Sequence, residues 1–123
     1  MGDRPSTFTP ALHSTTIKVL TACGRMYVTI VRDDEGGVAT LFTNIGKAGR
    51  CPAALAETVC RLATRSLERG DTIDGVHKSL VGMQCGKDPL VTDGRTITSC
   101  QDAIAYAIEI ERDLHATRER IEE

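Results

Sequence analysis

The spacing of apolar residues changes once along this chain, and that change restricts the fold more than any other feature. Up to about residue 46, three runs rich in β-branched residues have the pattern of strands: "TTIKVLTACG", "RMYVTIV" and "VATLFTNI". After residue 50, apolar residues recur every three or four positions, which predicts amphipathic helices. Strands followed by helices predict an α+β fold, in which a small antiparallel sheet of about three strands packs against two to three helices in a single domain.

The helical half of the chain divides into three predicted helices. The first covers "PAALAETVCRLATRSLERG", with Pro52 at its first position and Gly70 at its end. A shorter helix follows over "TIDGVHKSLVG", with Asp71 as its predicted cap. "MQCGKDPLVTDGRTIT" is predicted to be a polar, turn-rich connection, and the last helix begins near Cys100. The predicted organisation is a flexible N-terminal arm (1–14), one domain (15–110) and a charged C-terminal helical extension (111–123).

A heptad-like seam runs along the last predicted helix, at Ala103, Ala107, Ile110, Leu114, Thr117 and Ile121. The seam spans fewer than three heptads and contains weak alanine and threonine positions, so packing against the sheet is the favoured interpretation. A homodimer formed through this helix is the alternative.

Charge and aromatic content limit the classes of partner. The formal net charge is −2 and the pI about 5.9, which do not support a nucleic-acid footprint. Only four residues are aromatic, so no platform for stacking bases is expected. No apolar run approaches the roughly 18 residues of a membrane span, and the N-terminus lacks an apolar signal core. We therefore expect a cytoplasmic protein without a membrane partner. In the reducing cytoplasm, cysteines are more often metal ligands or redox groups than members of disulfides.

Four of the five cysteines occur where the chain turns or where a helix begins: Cys23, Cys51, Cys85 and Cys100. The fifth, Cys60, lies close to the apolar stripe of the first helix and is predicted to be a core residue. Four thiolates could close a tetrahedral zinc site, although the short C-x-x-C pairs are absent. A redox pair of Cys85 with Cys100, or four unconnected thiols, remain alternatives.

The segment "TSCQDAI" places one of these thiols at the start of the last helix. Ser99 and Asp102 fit a capping-box-like pattern, with aspartate in place of the usual glutamate or glutamine. This cap would aim Cys100 rigidly from the first helical position. A helix N-terminus lowers the pKa of a thiol, so we expect Cys100 to favour its thiolate form.

A second short motif, "GKAG" at 46–49, stands just before the first helix. Gly46, Lys47 and Gly49 could hold an anion at the helix N-terminus. The motif is too short to be specific, and a purely structural loop is the favoured interpretation.

Several ordered motifs give the chain a family resemblance over roughly residues 4–109. They are "RP", "CGRMYVTIVRDDEGG", "LFTNIGKAG", "AETVCRLATRSLERG", "LVGMQCG" and "TSCQDAI". The chain resembles the TSCPD domain family, which occurs at the C-terminal end of adenosylcobalamin-dependent (class II) ribonucleotide reductases and in small stand-alone proteins. Gln101 stands where the family has proline, and Met83 where it has isoleucine.

The resemblance also carries expectations about function. Small stand-alone members have a cysteine after a glycine-rich stretch, as Cys51 has here, which implies a shared metal site of Cys23, Cys51, Cys85 and Cys100. Zinc is the expected metal, and an iron–sulfur cluster or no metal are the alternatives. Because 123 residues cannot supply a reductase barrel, the resemblance implies a non-catalytic accessory or interaction module. Its expected partner is a ribonucleotide reductase or another protein.

Overall fold

The structure is a computed structural model that describes residues 13–46 and 50–122. In chain order its elements are β1 (His13–Thr21), β2 (Gly24–Arg32), β3 (Val38–Gly46), α1 (Arg50–Glu68), α2 (Ile73–Leu80), β4 (Leu90–Thr92), β5 (Arg95–Ile97) and α3 (Cys100–Glu122). The first three strands form an antiparallel sheet in the order β1-β2-β3, and the last two form a separate hairpin. The predicted α+β class is confirmed.

The three-stranded sheet buries one of its faces against the helices. Alternate residues of β2 point into the core, and Met26, Val28 and Ile30 are almost completely buried. Helix α1 packs beside β3, where the Thr64 hydroxyl accepts a hydrogen bond from the Leu41 amide at 3.1 Å. Helix α3 packs against β1 and β2. The residues between the core positions point away from both helices and form the opposite face of the sheet.

One end of β2 carries a charge into this core. Arg32 continues the alternation of buried residues, and only 8% of its surface is exposed. Its guanidinium donates two hydrogen bonds to Glu111 of α3, from Nε to Oε2 at 2.7 Å and from Nη2 to Oε1 at 2.8 Å. Its remaining terminal nitrogen donates to the carbonyl of Gly36 in the β2–β3 turn. This bidentate pair joins the sheet to the last helix across 79 positions of sequence.

Helix α3 divides into a buried and an exposed half. Ala103 and Ala107 of the predicted seam are fully buried, whereas Leu114 is 42% exposed and Ile121 77% exposed. The first half of the seam therefore packs in the core, as the favoured interpretation predicted. A dimer through the second half stays a prediction.

The connection after α2, predicted to be polar and turn-rich, also contains the β4–β5 hairpin, which the prediction did not include. Asp93 and Gly94 make the turn, and both have positive φ, at 50° and 80°. An Asp-Gly pair is typical of two-residue hairpin turns. Each strand has only three residues, however, and so short a run cannot establish an alternating pattern.

The cap of α2 is Thr72 and not Asp71, which corrects the sequence-based prediction. The Thr72 hydroxyl accepts a hydrogen bond from the Gly75 amide at 3.1 Å. Asp71 instead accepts from the Ser66 hydroxyl at 2.7 Å and from the Thr72 amide at 2.7 Å. It thus closes the turn between α1 and α2. Both residue types are good caps, and only the backbone geometry decides between neighbours.

The N-terminal boundary of the sheet differs from the predicted one by two residues. Strand β1 begins at His13, so the last two residues of the predicted arm (1–14) belong to the sheet. The rest of that arm lies outside the described residues. None of the helices within 13–46 and 50–122 has the length and apolar character needed to cross a bilayer.

Candidate functional site

Three of the four selected cysteines lie close together, although they come from distant parts of the chain. Cys23 is in the β1–β2 turn, Cys100 is the first residue of α3, and Cys85 lies between α2 and β4. Cys23 is the nearer thiol neighbour of Cys100 and raises its pKa both through a polar contact and through its charge, whereas Cys85 acts on Cys100 through its charge alone. The backbone amide of Cys85 donates to the Thr98 carbonyl at 3.4 Å. The fold therefore brings Cys23 and Cys100 together, with Cys85 farther from Cys100 than Cys23 is.

The turn that carries Cys23 is held by Thr21, a residue that sequence analysis did not select. The Thr21 hydroxyl donates to the Gly24 carbonyl at 2.8 Å. It also accepts from the amides of Cys23 at 3.0 Å and Gly24 at 3.1 Å. Gly24 has a φ of 138°, a backbone conformation that residues other than glycine rarely adopt. Thr21 also contacts the Cys100 thiol, so one buried hydroxyl supports both members of the pair.

Asp102 closes the segment that carries Cys85. Its carboxylate is 1% exposed and accepts from the amide of Gly82 at 2.9 Å and from the amide of Thr98 at 3.1 Å. These two donors stand on either side of residues 83–97, so a single side chain holds the two ends of that segment together. Ser99 Oγ accepts from the Asp102 amide at 2.9 Å and caps α3. In a capping box the carboxylate would bind the Ser99 amide, but here it binds the amide one residue earlier.

Arg95 of β5 connects Asp102 to a wider network. Its Nη1 donates to Asp102 Oδ2 at 2.7 Å, and its Nη2 donates to Glu109 Oε2 at 2.9 Å. The guanidinium carbon also lies 5.6 Å from the centre of the Tyr106 ring. Glu109 continues the network to His77 of α2 at 2.8 Å. The hairpin beside Cys85 is thereby anchored to α3, and α3 to α2.

The comparison with protein families covers this whole arrangement. The family model of the TSCPD domain matches residues 5–112 of the 123-residue chain. The chain belongs to the TSCPD domain family. No curated protein and no solved structure shows significant similarity to it.

In this TSCPD domain, Cys100 does not have the low pKa that its helix position predicts. Burial, the hydrogen bond from Cys23 and the charges of the neighbouring thiols raise the pKa of Cys100 to about 11. The contact with Thr21 lowers it, but by less. The expected preference for the thiolate is therefore wrong for the metal-free site. The helix N-terminus is outweighed because the thiol is partly desolvated and faces groups that acquire the same charge.

The Cys100 pKa leads to a prediction about alkylation. In metal-free protein, the rate at which iodoacetamide modifies Cys100 should rise with pH up to about 11, since only the thiolate reacts. Cys23→Ala removes one cause of the shift, so its inflection should move to lower pH. Mass spectrometry of the Cys100 peptide across a pH series measures both curves. An inflection below about 8.5 in the unsubstituted protein contradicts the prediction.

The fourth selected cysteine is placed differently. Cys51 lies exposed as the second residue of α1, and residues 47–49, just before that helix, are outside the described part of the chain. Within 13–46 and 50–122, no three side chains of the His, Cys, Asp and Glu types converge as ligands of one ion. Thiolates are the kind of ligand that a thiophilic metal prefers, and Cys23 and Cys100 are positioned to bind one ion together. The described residues do not, however, form a complete set of ligands.

The remaining residues are those of the predicted anion loop, the core cysteine and one arginine that the sequence analysis did not select. Of the predicted anion loop, Gly46 ends β3, whereas Lys47 and Gly49 lie outside the described residues. Cys60 is buried in the core as predicted, and burial raises its pKa to about 12. The sequence does not single out Arg95 as a functional residue, because one arginine on a three-residue strand is not part of any recognisable pattern.

Proposed function

We propose that this TSCPD domain is a zinc-binding accessory module without catalytic activity of its own, with Cys23, Cys51, Cys85 and Cys100 as ligands. The observation that carries the proposal is that the thiol of Cys23, and more weakly that of Cys85, acts on the thiol of Cys100 although the three come from distant parts of the chain. Thiolates are soft donors, and four of them around one ion form the commonest kind of structural zinc site. Family membership supports an accessory role with a ribonucleotide reductase or another protein as partner.

The proposed ligands fall into two groups by their surroundings. Cys23 and Cys100 are half-buried and supported by the hydrogen bonds of Thr21. Cys51 and Cys85 are exposed, and every residue from 81 to 91 is exposed as well. The proposal therefore assigns Cys23 and Cys100 the role of a preformed half-site. Cys51 and Cys85 would complete the coordination from more exposed segments.

Electrostatics give a reason why such a site would need a cation. Several thiolates close together repel one another, and a bound dication replaces their protons and neutralises their charge. In the metal-free protein that repulsion contributes to the raised pKa of Cys100. Zinc uptake should consequently release protons, and zinc affinity should fall as the pH is lowered.

Metal analysis tests the proposal. We expect untagged protein to contain about one zinc per chain, and removal by a chelator to lower the midpoint of thermal unfolding because structural zinc binding is also folding energy. Cys23→Ser and Cys100→Ser should each reduce the zinc content to near zero. Cys60→Ala is the control, since this buried core thiol should leave the stoichiometry unchanged. Protein with no metal and four free thiols contradicts the proposal, and a brown iron-containing protein contradicts the choice of zinc.

The same arrangement of thiols favours a second candidate function, thiol–disulfide exchange. Because Cys23 acts on the Cys100 thiol more strongly than Cys85 does, we place the redox pair at Cys23 and Cys100, with the pair of Cys85 and Cys100 as the alternative. Oxidation would form one S–S bond and release two protons and two electrons to a disulfide acceptor. The raised pKa of Cys100 opposes this function, because an attacking thiol works best with a pKa near ambient pH. Peptide mapping in a glutathione buffer decides: a reversible Cys23–Cys100 disulfide in metal-free protein favours exchange.

A further inference from the structure

The sheet face that points away from the helices combines aromatic, basic and polar side chains. We call it the outer sheet face and define it by Lys18, Leu20, Arg25, Tyr27, Phe42 and Asn44, all of which are exposed. Strand pairing sets Tyr27 between Lys18 on one side and Asn44 on the other. Arg25 pairs with Leu20 in the next row. None of these side chains takes part in the core or in the cysteine site.

Two of the four aromatic residues of the chain stand on this face. Tyr27 is 36% exposed and Phe42 51% exposed, whereas Tyr106 is buried among the aliphatic residues of the core. Tyr27 pairs with Asn44, and Phe42 pairs with Thr29, so the two rings are diagonal neighbours on adjacent strands. Diagonal Cβ atoms are about 7–8 Å apart, within reach of aromatic side chains. The two rings therefore form one surface.

The charge of the outer sheet face is opposite to that of the whole chain. The sequences of β1, β2 and β3 contain no aspartate or glutamate, whereas the chain has a net charge of −2. The one other arginine of these strands, Arg32, is buried and paired with Glu111. Lys18 and Arg25 are exposed and lie toward the β1–β2 turn, away from the acidic residues 33–35 of the opposite turn. This face therefore presents a local positive charge.

We infer that the outer sheet face binds single-stranded nucleic acid. Lys18 and Arg25 would contact phosphates, which attract cations and position the strand. Tyr27 and Phe42 would stack on unpaired bases, an interaction that every base allows because each has a π-face. Asn44 and the neighbouring threonine hydroxyls supply donors and acceptors for base or sugar edges. Low aromatic content and acidic pI pointed away from such a partner, but both are averages over the whole chain.

Charge also distinguishes this occupant from a second copy of the chain. A two-fold dimer would bury the same patch of both subunits, so one interface would contain two copies each of Lys18 and Arg25 and no acidic residue from these strands. Like charges that face each other across paired strands or interfaces are destabilising. A polyanion has the complementary sign. A single-stranded nucleic acid would contact both the aromatic rings and the positively charged side chains of this face.

Fluorescence anisotropy of the full-length protein as purified, with labelled oligothymidine and oligouridine of about 12 nucleotides, tests the inference. Two phosphate contacts give a salt slope of about −1.4, so raising the salt about fourfold should weaken binding about sevenfold. Phe42→Ala should weaken binding about tenfold through the loss of stacking. Lys18→Gln combined with Arg25→Gln should make the salt dependence nearly flat. Tyr27→Phe keeps the ring and should bind like the unsubstituted protein.

Matched controls come from helix α1. Leu62 is 62% exposed, and Arg61 is exposed and paired only with Glu57 of the same helix in the described residues. Leu62→Ala and Arg61→Gln remove similar groups from another surface and should leave binding unchanged. Because Lys18, Arg25 and Phe42 are exposed, their variants should keep the circular dichroism spectrum of the folded protein.

Three results overturn the inference. One is the absence of an anisotropy change up to about 100 µM protein, the weak limit of non-specific binding. Another is equal affinity in the unsubstituted protein, Phe42→Ala and the double glutamine variant. The third is a mass of two chains in light scattering that Phe42→Ala reduces to one, which would assign the outer sheet face to a second copy.

Discussion

Replacing Glu111 with alanine should lower the free energy of unfolding by about 3–5 kcal/mol, because it leaves a buried charge without its partner. Glu111 is 2% exposed, and both of its oxygens accept hydrogen bonds from Arg32. Without them, the buried guanidinium keeps only the carbonyl of Gly36. Urea denaturation followed by circular dichroism measures the loss.

Two variants show whether this loss comes from burial of the charge. Glu57 forms an ion pair of 2.5 Å with Arg61 on the exposed surface of α1. Glu57→Ala should therefore cost at most about 1 kcal/mol, since solvent screens exposed pairs. The double replacement Arg32→Met with Glu111→Leu should recover most of the stability, because no unpaired charge remains. A loss below 1 kcal/mol for Glu111→Ala would contradict the role of this pair.

Replacing Asp102 with alanine should cost about 3 kcal/mol or more, for a related reason. Its carboxylate accepts from two backbone amides and from Arg95, and it is almost completely buried. The variant should also reduce zinc retention, if the proposed metal site is correct, because the ends of the Cys85 segment are no longer joined. Thermal unfolding and metal content of the same sample measure the two effects.

The pKa of Asp102 adds a pH dependence to this prediction. Burial would raise its pKa, but the hydrogen bonds from Arg95 and from the amides of Gly82 and Thr98 outweigh burial and lower it. A lowered pKa means that the unfolded chain takes up the proton first. The stabilisation is thus complete above about pH 4 and is lost as the pH falls through the folded value. Asp102→Asn should remove this part of the acid dependence.

An exposed aspartate provides the control. Asp74 pairs with Arg112 at 2.9 Å, and its side chain is 72% exposed. Asp74→Ala should change stability by at most about 1 kcal/mol and should not affect zinc content. If Asp102→Ala behaves like Asp74→Ala in both measurements, the carboxylate does not hold the Cys85 segment.

Several features of the domain follow from short stretches of sequence, because the forces behind them act over a few residues. The β-branched and aromatic residues of "RMYVTIV" predict the second strand, which the structure forms over Gly24–Arg32. Ser99 is recognisable as a helix cap because a cap depends on the next three residues. Cys60 is recognisable as a core residue because the apolar stripe of α1 repeats around it.

The tertiary structure decided what depends on groups that meet from distant positions. Cys23 and Cys100 are 77 residues apart, and only the packing of α3 against the sheet makes the β1–β2 turn a neighbour of the helix start. Their contact and burial reverse the pKa shift that the helix N-terminus predicts. Hydrogen bonds and desolvation depend on distances in space, which local sequence patterns do not contain. For the same reason, only the register between β2 and β3 shows that Tyr27 and Phe42 are neighbours on one surface.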